Sequence, residues 1–496
     1  MYSSIDTNRL KKPGDYILSD VVLISYRSEK GDNTPISISV RSLVTELNIY
    51  ESIHNKSLSG NIVLLDAQNV IAALPLVGFE RIEFTLFTPS ISRGFDFSRK
   101  NGHPMYIYRI SDRESVNPRA QIYTLHFCSR EMIRNEKVKA TRAYKGTISQ
   151  TVASILRDPS LLDSEKNLIL EESYFIHKYV APIERPFDFI DEISKEAISK
   201  KFYSPGMIFF ENSLGFHFRS YESLLAFSSG TARPAVAKFE PKPSNIRIEG
   251  NRDIIQEMKN ASKFVIKDQF NTLKNLRNGV YSSLTTKYDS FFKTTEDITF
   301  DYHKEYVFAH HTEHDKDGGR TDTKSITPLL NEQGKFITDF PLGTQYLRSD
   351  TSRIHNDITD IDTPLTSNFL GRRLSSRLAF ESFKLELVVP GFTGLCAGDI
   401  IIFEMPTHAP EDNSNIMDRD PYMSGRYLVS SIRHQVSVLN DRHTMILECI
   451  KDSVRKPYPD EINDTFTGKE KSNRFTNDQY DLDELVINQA SGIFKN

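Results

Sequence analysis

Between residues 35 and 50, Ile36, Ile38 and Val40 alternate with serines and Arg41, and Leu43, Leu47 and Ile49 follow. An apolar side chain at every second position suits a half-buried strand, because successive side chains point to opposite faces of a sheet. Gly60 opens a second strand over 62–65, and further strands are predicted at 81–87, 105–110 and 121–127. In the last of these, Ile122, Thr124 and His126 share one face and Tyr123, Leu125 and Phe127 the other. The stretch 19–137 therefore predicts an antiparallel sandwich or barrel.

From about Val138 the period changes. Thr147 can cap a helix in which Ile148, Val152 and Ile155 recur at i, i+4 and i+7, with Asp158-Pro159 ending it. A second helix starts near Pro186 and carries Ile190, Ile193 and Ala197 on one face. A hairpin follows, with strands at 207–210 and 216–219 around a turn at 212–215. After a Pro-, Ala- and Ser-rich loop at 227–245 comes a strand at 263–267, then a short helix carrying Phe270, Leu273 and Leu276 that stops at Asn278-Gly279. Residues 310–362 are polar and turn-rich and read as an insertion; strands resume at 383–389, 400–405, 426–431 and 444–450.

The expected fold is mainly β with α+β insertions: two antiparallel β regions, a small α+β domain between them and a further polar insertion. The expected division is an N-terminal segment 1–18, a first barrel 19–137, an α+β domain 138–244, a second, discontinuous barrel 245–295 plus 373–454, an insertion 296–372 and an extended C-terminal arm 455–496.

A chain of 496 residues with 38% hydrophobic and 26% charged residues, including 32 Phe and 21 Tyr, can bury several cores. Its formal net charge of −4 lacks the basic footprint of a dedicated nucleic-acid binder. The longest apolar stretch, 70–79, is broken by Pro75 and Gly78 and falls short of the roughly 18 residues of a membrane-spanning helix. Residues 1–10 lack the charged and apolar regions of a signal peptide. Cys128, Cys396 and Cys449 have no paired or metal-like spacing and read as buried free thiols in a reducing cytoplasm.

A weak internal repeat adds to this. Residues 77–84 resemble 397–404, each a glycine turn feeding a strand with two further strands behind it. The gap from Gly78 to Leu125 is 47 residues and from Gly398 to Leu447 it is 49.

Three passages resemble the central baseplate hub proteins of contractile-tailed bacteriophages. They are Leu47-Asn48-Ile49-Tyr50-Glu51-Ser52, followed by Leu58-Ser59-Gly60-Asn61-Ile62 with Asp66; residues 271–282; and Pro390-Gly391-Phe392-Thr393 with Ala397-Gly398-Asp399 and then residues 424–429. In order they span about 19–454. The resemblance implies that the two β regions are tube-protein-like antiparallel β-barrel domains. It implies a non-enzymatic homotrimer, a pseudo-sixfold ring of two barrels per chain. It implies partners in a trimeric spike protein, a tail-tube or tube-initiator protein and baseplate wedge proteins, with DNA only in transit through the lumen. The location implied is the virion's tail-tip baseplate, after assembly in the host cytoplasm. No catalytic, cofactor-binding or metal residue comes with it.

The sharpest enzymatic pattern is His310-His311-Thr312-Glu313-His314, which fits H-x-x-E-H. That spacing holds zinc only on a helix. Here Tyr306, Val307 and Phe308 look strand-like and 315–320, with Gly318-Gly319-Arg320, looks like a turn, so a solvated polar loop is expected. The alternative function is a phage-associated zinc-dependent cell-wall hydrolase using 310–314. Asp96, Asp112, Asp188, Asp191 and Glu192 could be paired carboxylates, but Asp188, Asp191 and Glu192 fall at a helix start, where acidic groups favour the dipole. His126 reads as a strand residue, Gly318-Gly319-Arg320 lacks the context of a phosphate loop, and Lys451, Arg455 and Lys456 form only a short basic cluster.

Overall fold

The computed structural model describes residues 10–25, 35–74, 76–101, 103–227, 231–241, 254–289, 293–306, 308–313, 324–325, 331–332, 335–349, 369–406, 419–420 and 422–454. The chain is mainly β with helical insertions. The N-terminal segment 1–9 and the arm 455–496 lie outside the described residues.

The first unit contains β1 (Val22–Ser25), β2 (Ile36–Ser39), β3 (Val44–Ser52), β4 (Ser59–Asp66), β5 (Arg81–Glu83), β6 (Met105–Asn117) and β7 (Ala120–Ser129). On β7 the face carrying Tyr123, Leu125 and Phe127 is fully buried and the other is not, as the alternation predicts. These side chains meet Leu47, Ile49, Ile62 and Leu64 in one core. Gly60 is required there, because a Cβ would fall on the Asn48 carbonyl and the Phe127 ring. Two predicted runs are interrupted. A 3-10 turn at Arg41–Leu43 separates β2 from β3. The run 81–87 splits at Phe84, whose buried ring packs edge-on against Phe97 and Phe127, and Thr85–Phe87 joins a small separate sheet.

The α+β region follows, with α1 (Arg130–Lys137), α2 (Ile148–Arg157) and α3 (Pro186–Ser194). Thr147 and Gln150 form a reciprocal capping box at the start of α2, and Asp158 is its C-cap. Ile148, Val152, Ile155, Ile190 and Ile193 pack with Phe209, Phe216 and Phe218 of the hairpin β8 (Met207–Asn212) and β9 (Gly215–Ser220).

The remainder comprises β10 (Ala237–Pro241), β11 (Lys263–Asp268), α4 (Thr272–Arg277), β12 (Ser282–Asp289), β13 (Thr294–Asp301), α5 (Tyr302–Tyr306), β14 (Gln345–Ser349), α6 (Leu370–Phe380), β15 (Phe383–Pro390), β16 (Ile400–Phe403), β17 (Gly425–Ser437) and β18 (Arg442–Lys451). In space the first unit runs β3-β4-β7-β6-β5 and this one β11-β15-β18-β17-β16. Numbered along the chain, both orders are 1-2-5-4-3. The turns before the third strands use Gly78 (φ 100) and Gly398 (φ 93), a left-handed conformation that favours glycine. Each is followed 27 residues later by a strand of 13 residues, β6 from Met105 and β17 from Gly425.

The strand pairing departs from the expected extent of the second barrel, 245–295. β12 and β13 do not join the main sheet; with β14, from within the polar insertion, they form a separate sheet. The chain reverses at Asn278 and Gly279 (φ 69), which turns β12 away from β11. All three cysteines are buried and free of disulfides, and burial pushes the Cys128 thiol up to about 12. No helix among the described residues is long and apolar enough to cross a membrane.

Candidate assembly surface

The two five-strand units meet at β17. Its first part bonds β16, from Gly425 opposite Phe403 to Leu428 opposite Ile400. From Ser431 to Ser437 the same edge bonds β3, with Ser431 opposite Ser52 and Ser437 opposite Glu46. An irregularity between Val429 and Ser431 marks the changeover, since a bulge bends a strand and re-aims its edge. The result is one sheet of 14 strands.

Side chains reinforce this joint. Arg433 Nε donates to Asn48 Oδ1 at 3.0 Å, Gln435 Nε2 donates to Glu46 Oε1 at 3.1 Å, and the Ser52 and Ser431 hydroxyls lie 2.9 Å apart. Glu51, at the end of β3, is 1% exposed. Its carboxylate accepts the Ser213 N–H at 2.8 Å and the Ala397 N–H at 2.9 Å. It thereby ties the β8–β9 turn and the Gly398 turn to the first unit. Burial pushes its pKa up to about 7, although both N–H groups act the other way.

Glu51→Ala leaves two buried N–H groups unpaired and is expected to cost about 2–5 kcal/mol, at roughly 1–3 per orphaned donor. Because the folded pKa is raised, the native state binds more protons between the ordinary carboxylate value of 4.5 and about 7, so this group's contribution weakens as pH rises through that window. Urea unfolding of wild type and Glu51→Gln at pH 5 and pH 8 checks the sign: the wild-type advantage is larger at pH 5.

Among the described residues the counterparts of this joint are open. By position in the repeat, β6 corresponds to β17 and β11 to β3. β5 bonds only the start of β6, at Met105 and Tyr106. Asp112 (φ 53) marks a bulge, and beyond it residues 113–117 are exposed and bonded only to β7. Among the described residues β11 is bonded to β15 alone. Val265 and Ile266 on it are each 37% exposed, and Phe270 and Leu273 just beyond are 67% and 80% exposed. The helical spacing of Phe270 and Leu273 predicts packing inward; instead Asn275 is the buried residue of the short helix α4. A flat, partly apolar edge without a neighbour is a contact surface.

No family model matches the chain. Over 410 residues, 80% of this chain and 88% of the relative, it is 23% identical to the probable baseplate hub protein gp334 of Vibrio phage KVP40. The chain resembles a phage baseplate hub. Among solved structures, the tail protein from Neisseria meningitidis MC58 is similar at 11% identity and a TM-score of 0.49, covering 88% of this chain and 97% of that one. The 43 kDa tail protein of prophage MuSo2 from Shewanella oneidensis is similar at 10% identity and 0.43, covering 87% and 98%. The relative supports a structural role at the tail tip.

In this hub-like chain the residues with candidate chemistry are committed to structure. The segment 310–313 is not the solvated loop expected: His310, His311, Thr312 and Glu313 are each at most 6% exposed. Tyr306, read as strand-like, instead ends helix α5. His311 Nδ1 lies 2.8 Å from Asp452 Oδ2 and its Nε2 lies 2.8 Å from the Tyr306 carbonyl. Thr312 bonds Asp452 at 2.6 Å, and Glu313 accepts Lys451 Nζ at 2.8 Å and the Arg426 N–H at 2.7 Å. Burial alone would raise the Asp452 pKa, but His311 and Thr312 hold it below the usual carboxylate range. The segment is a polar plug against β17 and β18, and Lys451 belongs to it rather than to a surface cluster. Among the described residues no three His, Cys, Asp or Glu side chains are placed to hold a metal. His314, Val307, Gly318-Gly319-Arg320, Arg455 and Lys456 lie outside the described residues.

Asp188 and Asp191 on α3 lie 4.0 and 3.7 Å from Lys56. Asp96 accepts the Ser98 N–H, and Asp112 accepts the Ser111 hydroxyl. The same hydroxyl lies 2.7 Å from His126 Nε2 on β7. Sequence reasoning missed Glu51 as a structural clamp. Its one signal was a carboxylate at the end of a strand.

Proposed function

We propose that the chain is a structural, non-enzymatic subunit of a phage baseplate hub, in which three copies close a pseudo-sixfold ring of similar five-strand units. The observation that carries this reading is that, among the described residues, the β3–β17 joint occurs once while its counterpart edges, β11 and the end of β6, stand open. Pairing β11 of one copy with residues 113–117 of the next repeats the joint between chains. A ring closes when the same kind of contact recurs around an axis, and two similar units in three copies present six positions to one face and three to the other. Such a body joins a sixfold tail tube to a threefold spike. DNA crosses its lumen during ejection, and the formal net charge of −4 favours passage over retention.

In this reading the units are 19–137 and the discontinuous set built on β11 and 373–454, with the α+β domain 138–244 and the insertion 296–372 as additions. The hub sits at the tail tip of the virion after assembly in the host cytoplasm, beside a trimeric spike, a tail-tube or tube-initiator protein and wedge proteins.

Mass photometry of the chain co-expressed with its spike tests the reading: three chains per complex are expected. A one-to-one heterodimer, or no association with spike or tube protein, overturns it. Leu273→Asp, at a position open to solvent in the single chain, should leave the circular dichroism spectrum unchanged and abolish the trimer. Obligate interfaces of this kind bury about 2,000 Å² or more, much of it apolar. A Ser115→Cys, Val265→Cys chain should cross-link between copies on oxidation, since the three native thiols are buried.

A further inference from the structure

A cavity of about 320 Å³ lies between the β8–β9 hairpin, the Gly398 turn, Phe227 and residues 233–236. Three guanidinium groups line it, those of Arg93, Arg219 and Arg233, with a single carboxylate, Asp399. Arg93 takes that carboxylate, with Nη1 at 3.4 Å from Asp399 Oδ2, and also donates to the Gly394 carbonyl at 2.9 Å.

The other two cations have no carboxylate within 4.0 Å among the described residues. Arg219, 8% exposed, donates to the hydroxyl and carbonyl of Ser223 at 3.1 and 2.6 Å, both neutral acceptors. Arg233 lies over the Phe227 ring at 5.3 Å, and its Nε–H has no hydrogen-bond partner. Glu171, the next carboxylate nearby, is engaged by the Ser220 hydroxyl at 2.9 Å. Burial first, and then the charge of Arg233, lowers the Arg219 pKa to about 10; burial also lowers that of Arg233. Buried charge without a counter-charge is costly, and a fork of N–H donors matches the oxygens of a tetrahedral anion.

His217 narrows the chemistry. It is 3% exposed, its ring stacks on Phe210 with centroids 4.6 Å apart, and its Nε2 lies 2.8 Å from Asn212 Oδ1. That bond makes Nε2 the donor and leaves Nδ1 an acceptor, which has no partner.

We propose that this cavity binds a small tetrahedral oxyanion that retains one proton, of the hydrogen phosphate type. The guanidinium groups of Arg219 and Arg233 take its charged oxygens, and its remaining O–H donates to His217 Nδ1. The site is independent of the ring reading.

The experiment is calorimetry and thermal unfolding of the full chain at pH 7, with inorganic phosphate and, separately, sulfate at equal ionic strength. Phosphate should bind saturably and raise the melting temperature, and sulfate, which carries no proton at this pH, should bind more weakly. Arg233→Met should weaken phosphate binding by at least about tenfold, as loss of a charge-assisted bidentate contact does, while melting no lower than wild type in phosphate-free buffer. Arg142→Met, an exposed arginine elsewhere, should bind as wild type does. His217→Phe should lose the preference for phosphate over sulfate. No saturable binding, equal binding by Arg233→Met and Arg142→Met, or a phosphate preference that survives His217→Phe overturns the proposal. Arg219→Met is a further arm; should it not fold, Arg233→Met and His217→Phe still decide.

Discussion

Replacing Lys166 with methionine is expected to cost about 3–5 kcal/mol, because it strands two buried carboxylates. Lys166 Nζ lies 2.9 Å from Glu131 Oε2 and 2.6 Å from Glu211 Oε1, and all three side chains are at most 6% exposed. Burial alone would lower the lysine pKa, but the two carboxylates hold it above the ordinary lysine value. For Glu131 burial pushes upward, and Lys166 with Ser164 brings the result below the usual carboxylate range. Glu211 also accepts the Leu58 N–H at 2.8 Å and the Ser129 hydroxyl at 2.7 Å, so the triad fastens β8 to one end of the first unit's β4–β7 pair, where Ser129 N–H also donates to the Leu58 carbonyl. The urea midpoint should fall with little change in slope. Lys166→Met combined with Glu131→Leu should recover part of the loss, because only one carboxylate is then unpaired. A Lys166→Met chain as stable as wild type would remove the triad from the account of how the units are held together.

Acid should weaken the fold well above the pH at which carboxylates titrate. His434 and His443 are both fully buried, with Nδ1 of one 3.2 Å from Nε2 of the other. Burial lowers the pKa of His443 to about 3, and burial with the His443 charge drives that of His434 well below its ordinary value. Burial also brings His177 to about 4 and His217 to about 3. All four are neutral in the folded chain and take up protons only on unfolding once pH falls below the ordinary histidine value of 6.5. The unfolded state then binds more protons, so stability falls as pH falls, with a limiting slope of about 1.4 kcal/mol per unit for each group. Glu51, Asp399 and Glu222, whose pKa values burial raises, act in the opposite direction. The expected net loss between pH 6.5 and pH 5 is about 3–5 kcal/mol. Denaturant unfolding across that range measures it. His434→Leu with His443→Leu should remove about 3 kcal/mol of this, most of the fall, and an unchanged slope in that variant would assign the acid sensitivity elsewhere.

Much of the secondary structure was legible in the residues because it is set locally. The alternation through Tyr123, Leu125 and Phe127 states which face of β7 is buried. Thr147 and Gln150 mark the start of α2 by a capping box that needs only four residues. The matched turns at Gly78 and Gly398 carry the internal repeat, since each requires a positive φ that glycine allows at little cost.

Only the tertiary structure decided the rest, and in each case the partner lies far along the chain. Residues 310–313 read as solvated because a string of polar side chains has no period. They are buried because Lys451 and Asp452, some 140 residues away, and Arg426 supply matched charge and hydrogen bonds. Phe270 and Leu273 were read as one helix face, yet Phe270 precedes the short helix α4 and both are exposed. The joint of Ser431–Ser437 with Glu46–Ser52 pairs strands almost 400 residues apart. Alternation specifies that an edge exists and which face it buries; which edge it meets depends on chain closure and shape.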